Sequence, residues 1–293
     1  MSLPATLRSQ IEAILGDPIR KVELLAQSFG SRLDRLYTSQ GRFALKWASR
    51  PLPLAMAAEA HGLRTLAQAG VLAIPEVLAV VDPAPADGYA FLLTNWLDGG
   101  NVRVDMAVLG EQLAQLHRIS APAYGFDHDN YIGGNPQYNT WMQEWPHFFV
   151  ERRLRPQMEL AAQQGYLPTT RRHKLDRLLA RVEDLLAGVE RQPALLHGDL
   201  WGGNVIPVDP QGRPGLIDPA VYFGDREAEL AFTELFGGFG PVFYQAYQRT
   251  WPLPPGYAER RDLYNLYHLL NHLNLFGAGY AFQVDQIIQR YAG

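Results

Sequence analysis

The sequence predicts an α+β fold in two lobes: a small, β-rich lobe over residues 1–95 and a larger, mostly helical lobe over residues 96–293. Three observations lead there. The first third alternates short apolar runs with turn residues. The remainder carries helical periodicity almost throughout. Between them, "NWLDGGN" (95–101) sets Asp98, Gly99 and Gly100 together and breaks any period.

Taken in order, residues 5–15 read as an amphipathic helix. "KVELLAQ" (21–27), "DRLY" (34–37) and "RFALKW" (42–47) read as strands, joined through the turn-rich "SFGSR" and "TSQG". A helix over 55–69 ends at Gly70, a common C-cap. Strands follow at 76–81 and 89–95. Helices are predicted over 105–118, 141–163, 171–187, 226–236, 240–249, 258–275 and 277–291. No internal repeat or low-complexity segment interrupts them.

Composition narrows the function. Of 293 residues, 47% are hydrophobic and 19% charged, enough to bury a full core. The net charge is −4 and no Lys/Arg run would track a phosphate backbone, so nucleic-acid binding is not expected. The chain has no cysteine. That excludes disulfides, disulfide-linked oligomers, thiolate metal sites and a cysteine nucleophile, and it fits a reducing cytoplasm. "MSLPATLRSQIEAILGD" lacks the pattern of a secretory signal, and no apolar run approaches the ~18 residues that would span a bilayer.

Two segments interrupt the helical part: "LLHGDLWGGNV" (195–205) and "GLIDPAVYFGD" (215–225). "ALL", "VIPV" and "PGLID" read as short buried strands. The first loop is expected to bend at Gly202 and Gly203, holding Asp199 and Asn204 five residues apart. The second strand delivers Asp218 at its end. Asn204 and Asp218 offer hard oxygen ligands suited to Mg²⁺. Asp199 remains to accept a proton from a hydroxyl. This division of labour is that of protein-kinase-type phosphoryl transfer, and the Asp-to-Asn spacing matches its catalytic loop. Taken singly, an Asp or Asn here would only satisfy turn backbone groups.

Such a site needs a strand Lys on the nucleotide phosphates and a helix Glu to hold that Lys. In "RFALKW", Phe43, Leu45 and Trp47 share one face, and Arg42, Ala44 and Lys46 the other. In the helix 55–69, Glu59 lies in line with the apolar stripe Met56, Leu63 and Leu66, where a carboxylate requires a partner. Lys46 is the candidate. The phosphate-covering loop is sparse: "FGSRLDRLY" offers only Gly30 and Ser31. His268 and His272 stand four apart on a helix but have no third ligand, so packing is expected of them. "WMQEWPHFF" (141–149) reads as core, with one wall of an acceptor pocket as the other possibility.

With these residues in view, the chain resembles the fructosamine kinase (ketosamine-3-kinase) family. The resemblance rests on "YGFDHDNYIGGNPQYNTW" (124–141), "FFVERRLRPQ" (148–157), "LLHGDLWGGN" (195–204), "LIDPAVYFGDREAELAFTELFGGF" (216–239) and "LYNLYHLLNHLNLFG" (263–277). It implies a protein-kinase-like two-lobed fold and ATP-dependent, Mg²⁺-assisted phosphorylation of the 3-hydroxyl of a small-molecule or protein-bound ketosamine. The sugar is then lost and the amine repaired. The resemblance implies that Asp199 addresses the 3-hydroxyl, Asn204 and Asp218 hold Mg²⁺, and Lys46, held by Glu59, grips ATP. It also implies that Asn95, Trp96 and Leu97 meet adenine through their backbone. Trp201 would face the sugar or its amine. Gln137 and Asn139 would line the acceptor site or brace its loop, and Glu229 would brace the catalytic loop. Asp225 stands where many members have His, a departure bearing on acceptor choice. An aminoglycoside or choline kinase would share HGD-x4-N without the Trp201 and "LFGGF" context. A catalytically inactive kinase-like binding protein is the third reading.

Overall fold

The computed structural model describes residues 3–82 and 88–292. Its elements run, in chain order, α1 (Ala5–Leu15), β1 (Lys21–Ser28), β2 (Ser31–Tyr37), β3 (Arg42–Ala48), α2 (Ala55–Ala69), β4 (Val77–Val81), β5 (Ala90–Asn95) and α3 (Met106–His117). Then come β6 (Asn130–Ile132), β7 (Asn135–Gln137), α4 (Trp145–Phe148), α5 (Arg155–Gln163), α6 (Thr169–Leu179), α7 (Val182–Leu186) and β8 (Ala194–Leu196). The last are β9 (Val205–Pro207), β10 (Pro214–Leu216), β11 (Tyr222–Gly224), α8 (Arg226–Leu235), α9 (Pro241–Thr250), α10 (Tyr257–Phe276) and α11 (Ala281–Ala292).

The chain divides into two compact units. The first holds the residues through Asp105 together with Val205–Pro219; the second holds Met106–Asn204 and Ala220–Gly293. The first unit thus extends past Asn95 and takes in the β9–β10 hairpin. Hydrogen bonds explain this. Gly99 N–H donates to Pro207 O at 2.9 Å, Asp105 N–H to Gly212 O at 2.8 Å, and Leu216 N–H to Ala73 O at 2.9 Å.

The first unit is built on an antiparallel sheet in the order β1-β2-β3-β5-β4. Strand alternation gives the sheet two apolar faces. On one, Leu36, Leu45, Phe91 and Leu93 pack with Leu3, Leu7 and Ile11 of the α1 region. On the other, Ala48, Ala90 and Leu92 pack with Met56, Ala60 and Leu63 of α2. Lys46 shares the α2 face with Ala48, because Leu45 and its fellows occupy the other.

The second unit is mostly helical, with a core that includes Leu113, Trp145, Phe148, Phe243, Leu266 and Leu270. Two long helices expected from the sequence are interrupted. The 141–163 segment starts only at Trp145, where Pro146 occupies the first turn, and widens to a π-helical stretch over Phe149–Leu154 before α5. The 171–187 segment breaks between Leu179 and Val182. β6, β7 and β11 are three residues each, too short to show alternation.

Candidate active site

Within the first unit, a cavity of about 400 Å³ lies against the α2 face of the sheet. Its walls are apolar: Leu33 and Ala44 from the sheet, Leu63 from α2, Ile206 and Ile217 from the β9–β10 segment. Lys46, Glu59 and Asp218 supply its charges together with Arg35 and Asp98, and Asn95–Gly100 also line it. The lining suits a flat apolar ring, with the Lys46 ammonium for an anionic group.

Lys46 Nζ donates to Glu59 Oε2 at 2.6 Å and stands 3.6 Å from Asp218 Oδ1. One ammonium therefore faces two carboxylates. Burial works against the charge on Lys46, but Glu59 and Asp218 outweigh it and hold the lysine above its ordinary pKa. Burial pushes the Glu59 carboxyl up to about 7, with Asp218 adding to the rise and Lys46 opposing it. The local charge is one negative in excess, and a divalent cation or a proton relieves it. Asp218 carries a backbone φ of 51°. That left-handed conformation costs a non-glycine residue on the order of 1–3 kcal/mol, which the surrounding structure must hold.

The β1–β2 turn is a two-residue loop, Phe29 and Gly30, with φ of 48° and 78°. Ser31 Oγ donates to Ser28 O at 3.0 Å across it. In the 95–97 stretch, Asn95 N–H donates to Glu76 O and Trp96 N–H to Arg42 O, both at 3.1 Å. These two N–H groups are committed within the sheet and its margin.

Asp199 and Asn204 lie in the second unit, on the loop after β8. Asn204 Nδ2 donates to Asp199 O at 2.8 Å and approaches Asp199 Oδ2 at 3.4 Å. Its amide nitrogen is thus directed at Asp199, and its oxygen is the end suited to a hard cation. The turn glycine is Gly198, not Gly202 or Gly203 as the sequence suggested. Gly198 has φ 85°, and a Cβ there would fall 1.9 Å from Ala220 O. Gly203 leaves room for the Trp201 ring, which lies over it, 2.2 Å from where a Cβ would be. Glu229 on α8 fixes the loop's backbone, accepting Gly198 N–H at 2.6 Å and His197 N–H at 3.2 Å.

Trp201 is 46% exposed. The other side chains expected near an acceptor are interior. Gln137 Nε2 donates to Asn130 Oδ1 and Ala220 O, and its Oε1 accepts from Tyr267. Asn139 bonds His128 O, Asn130 and Arg153. Asp225 caps α8 through Glu227 N–H and accepts from Arg191 and Tyr264, each at 2.7 Å. His268 stacks on Phe232 with centroids 3.6 Å apart, and His272 Nδ1 meets His268 O at 2.8 Å. Neither belongs to a metal-binding group among the described residues.

Two supporting residues went unmarked in the sequence. His117 is fully buried, with Nε2 2.8 Å from Glu229 Oε2 and Nδ1 2.9 Å from Tyr247 OH. Its only sequence signal was a polar residue ending the apolar stripe of α3. Arg153 is equally buried, donating to Tyr138 O and Asn139 Oδ1 and lying 3.9 Å over the Tyr222 ring. No sequence period flags it, because it sits in the π-helical stretch.

Comparison with known proteins agrees with this geometry. The family model described as fructosamine kinase matches residues 8–292. A probable ketoamine kinase of Synechocystis is 37% identical over 97% of this chain and 95% of its own. A chloroplastic protein-ribulosamine 3-kinase of Oryza sativa is 39% identical over 87% of this chain and 73% of its own. The solved structure of a candidate fructosamine-3-kinase from Thermobifida fusca superposes with a TM-score of 0.87 at 30% identity, covering 98% of both chains. An aminoglycoside phosphotransferase solved with ADP and hygromycin B superposes with a TM-score of 0.64 at 18% identity, over 99% of this chain and 100% of its own, a likeness of fold alone. The fold is protein-kinase-like, and the chain belongs to the fructosamine kinase family.

Proposed function

We propose that the chain transfers the γ-phosphoryl group of ATP to the 3-hydroxyl of a ketosamine, free or protein-bound, leading to loss of the sugar and recovery of the amine. The loop after β8 carries this reading: Asn204 turns its amide nitrogen to Asp199 while Glu229 holds the backbone beneath. A carboxylate so placed orients the acceptor hydroxyl and takes its proton as the oxygen attacks phosphorus. Lys46, held by Glu59, bonds the ATP phosphates. Adenine enters the apolar cavity between Ala44 and Ile217, and Leu97 meets it through the backbone. The Phe29–Gly30 turn and Ser31 cover the phosphates.

Asn204 and Asp218 are the proposed Mg²⁺ ligands. An amide oxygen and one carboxylate suit a cation that takes most of its other oxygens from phosphate and water. When bound, Mg²⁺ neutralises charge developing on the transferred group. Trp201 is the proposed acceptor contact, its exposed ring flat against Gly203. Gln137, Asn139 and Asp225 brace the acceptor side from behind, since their polar atoms are engaged with protein partners. No helix among the described residues is long and apolar enough to cross a membrane. The proposal includes a cytoplasmic location, tested by fractionation.

The experiment is ATP consumption with a panel of fructosamines, ribulosamines and erythrulosamines, with Asp199→Ala as control. Turnover of a ketosamine, abolished by the substitution, is expected. Turnover of an aminoglycoside or choline without any ketosamine would overturn the substrate assignment. No turnover of any acceptor would favour a binding protein.

A further inference from the structure

At its N-terminus helix α2 has no capping side chain of its own. Its N-cap position is Leu54, in the left-handed conformation with φ 55° and no capping side chain. Ala55 N–H finds Leu52 O at 3.2 Å, but two first-turn N–H groups are accepted from elsewhere: Asp82 Oδ2 receives Met56 N–H at 2.8 Å and Ala57 N–H at 3.1 Å. Asp82 directly follows β4, so the bond runs from the edge of the sheet to the start of the helix. Its negative charge also meets the positive end of the helix dipole.

The position of this helix matters because Glu59 comes three residues after Met56 and holds Lys46 at 2.6 Å. The apolar contact of Met56, Ala60 and Leu63 with the sheet fixes which face of α2 turns inward. Such packing is non-directional and sets the helix's axial position loosely. Hydrogen bonds at the helix start are directional and set it tightly. Asp82 is the side chain that makes them.

We infer that Asp82 is a positioning residue for phosphoryl transfer: it anchors the start of α2 and so sets Glu59 against Lys46. The inference rests on the role proposed for the Lys46–Glu59 pair. Asp82 touches no reacting atom.

The test uses Asp82→Ala and Asp82→Asn, each in the wild-type and Glu59→Gln backgrounds, in full-length protein shown by its melt to be folded at assay temperature. Asp82→Ala is expected to speed amide exchange at Met56 and Ala57 and to lower kcat about fivefold, the size of a lost cap. The acceptor KM stays within about twofold. Asp82→Asn, whose amide oxygen still accepts, recovers most of the rate. In Glu59→Gln, Asp82→Ala lowers kcat by less than about twofold, because the two act in series. Unchanged exchange in Asp82→Ala overturns the anchor. Equal fold losses in both backgrounds overturn the route through Glu59. Full activity in Glu59→Gln overturns the reading of the ion pair itself, and this route with it. That outcome is told apart because the Asp82→Ala exchange result is independent of it.

Discussion

Glu229 accepts the Gly198 backbone N–H at 2.6 Å, from inside the second unit. A fully buried carboxylate thereby dictates where the chain turns ahead of Asp199. His197 N–H and His117 Nε2 complete its coordination. Replacing Glu229 by Ala removes the acceptor these buried groups share, a cost of roughly 3 kcal/mol. Chemical denaturation should show that loss, and kcat should fall further than the acceptor KM rises. The pH dependence has a definite sign. Burial works to raise the Glu229 pKa, but His117, with His197 and the Gly198 N–H, outweighs it, so the carboxyl lies below its ordinary value. Its contribution is present above the unfolded pKa and is lost as pH falls through the folded one. Glu229→Gln should therefore lack an acid-labile component that wild type shows below about pH 4.5.

Lys46 faces Glu59 and Asp218 together. Lys46→Met removes the ammonium that both carboxylates face. We expect kcat to fall at least about a hundredfold, as for loss of one preorganised electrostatic contact. Nucleotide binding, read by calorimetry with ADP, should weaken as well. Wild-type ADP affinity in Lys46→Met would remove the lysine from the nucleotide site.

Trp201 and Asp225 should separate specificity from stability. Trp201→Ala removes an exposed ring, so thermal stability changes little while the acceptor KM rises about tenfold, the loss of an aromatic contact. ATP KM stays constant. Asp225→His breaks a buried pair with Arg191 and removes the α8 cap. Its effect should be a stability loss of about 3 kcal/mol, with acceptor preference unchanged among folded molecules. A switch of acceptor without destabilisation would instead make Asp225 a specificity residue.

These contrasts show what could be read in advance. The alternation of "RFALKW" placed Lys46 on the α2 face, because a period of two leaves no other choice once Leu45 is buried. Helix 55–69 was legible to the residue, its apolar stripe and Gly70 stop agreeing. What stayed hidden depends on distance in sequence. Gln137 and Asn139 look like surface loop residues until Tyr267 and Arg153, far along the chain, take up their polar atoms. The Gly198 bend was hidden for the same reason, since the backbone of Ala220, far along the chain, is what a side chain there would strike. Asp82 caps a helix that begins 27 residues before it, so no local capping signal exists.

His268 supplies the last prediction. Its ring is stacked on Phe232, and His272 and Arg153 are the titratable and charged groups acting on it. Burial, His272 and then Arg153 all disfavour its protonation, so its pKa lies well below the ordinary range. The unfolded chain binds a proton at this histidine near pH ~6.5, and the folded chain does not. The contribution is thus present above that pH and is lost as pH falls below it, at up to about 1.4 kcal/mol per unit. His268→Phe keeps a ring against Phe232 and removes both the titration and a buried Nδ1 that lacks a hydrogen-bond partner. Between pH 7 and 5, its unfolding free energy should fall less steeply than that of wild type. Parallel slopes would mean that the imidazole reaches a proton in the folded state.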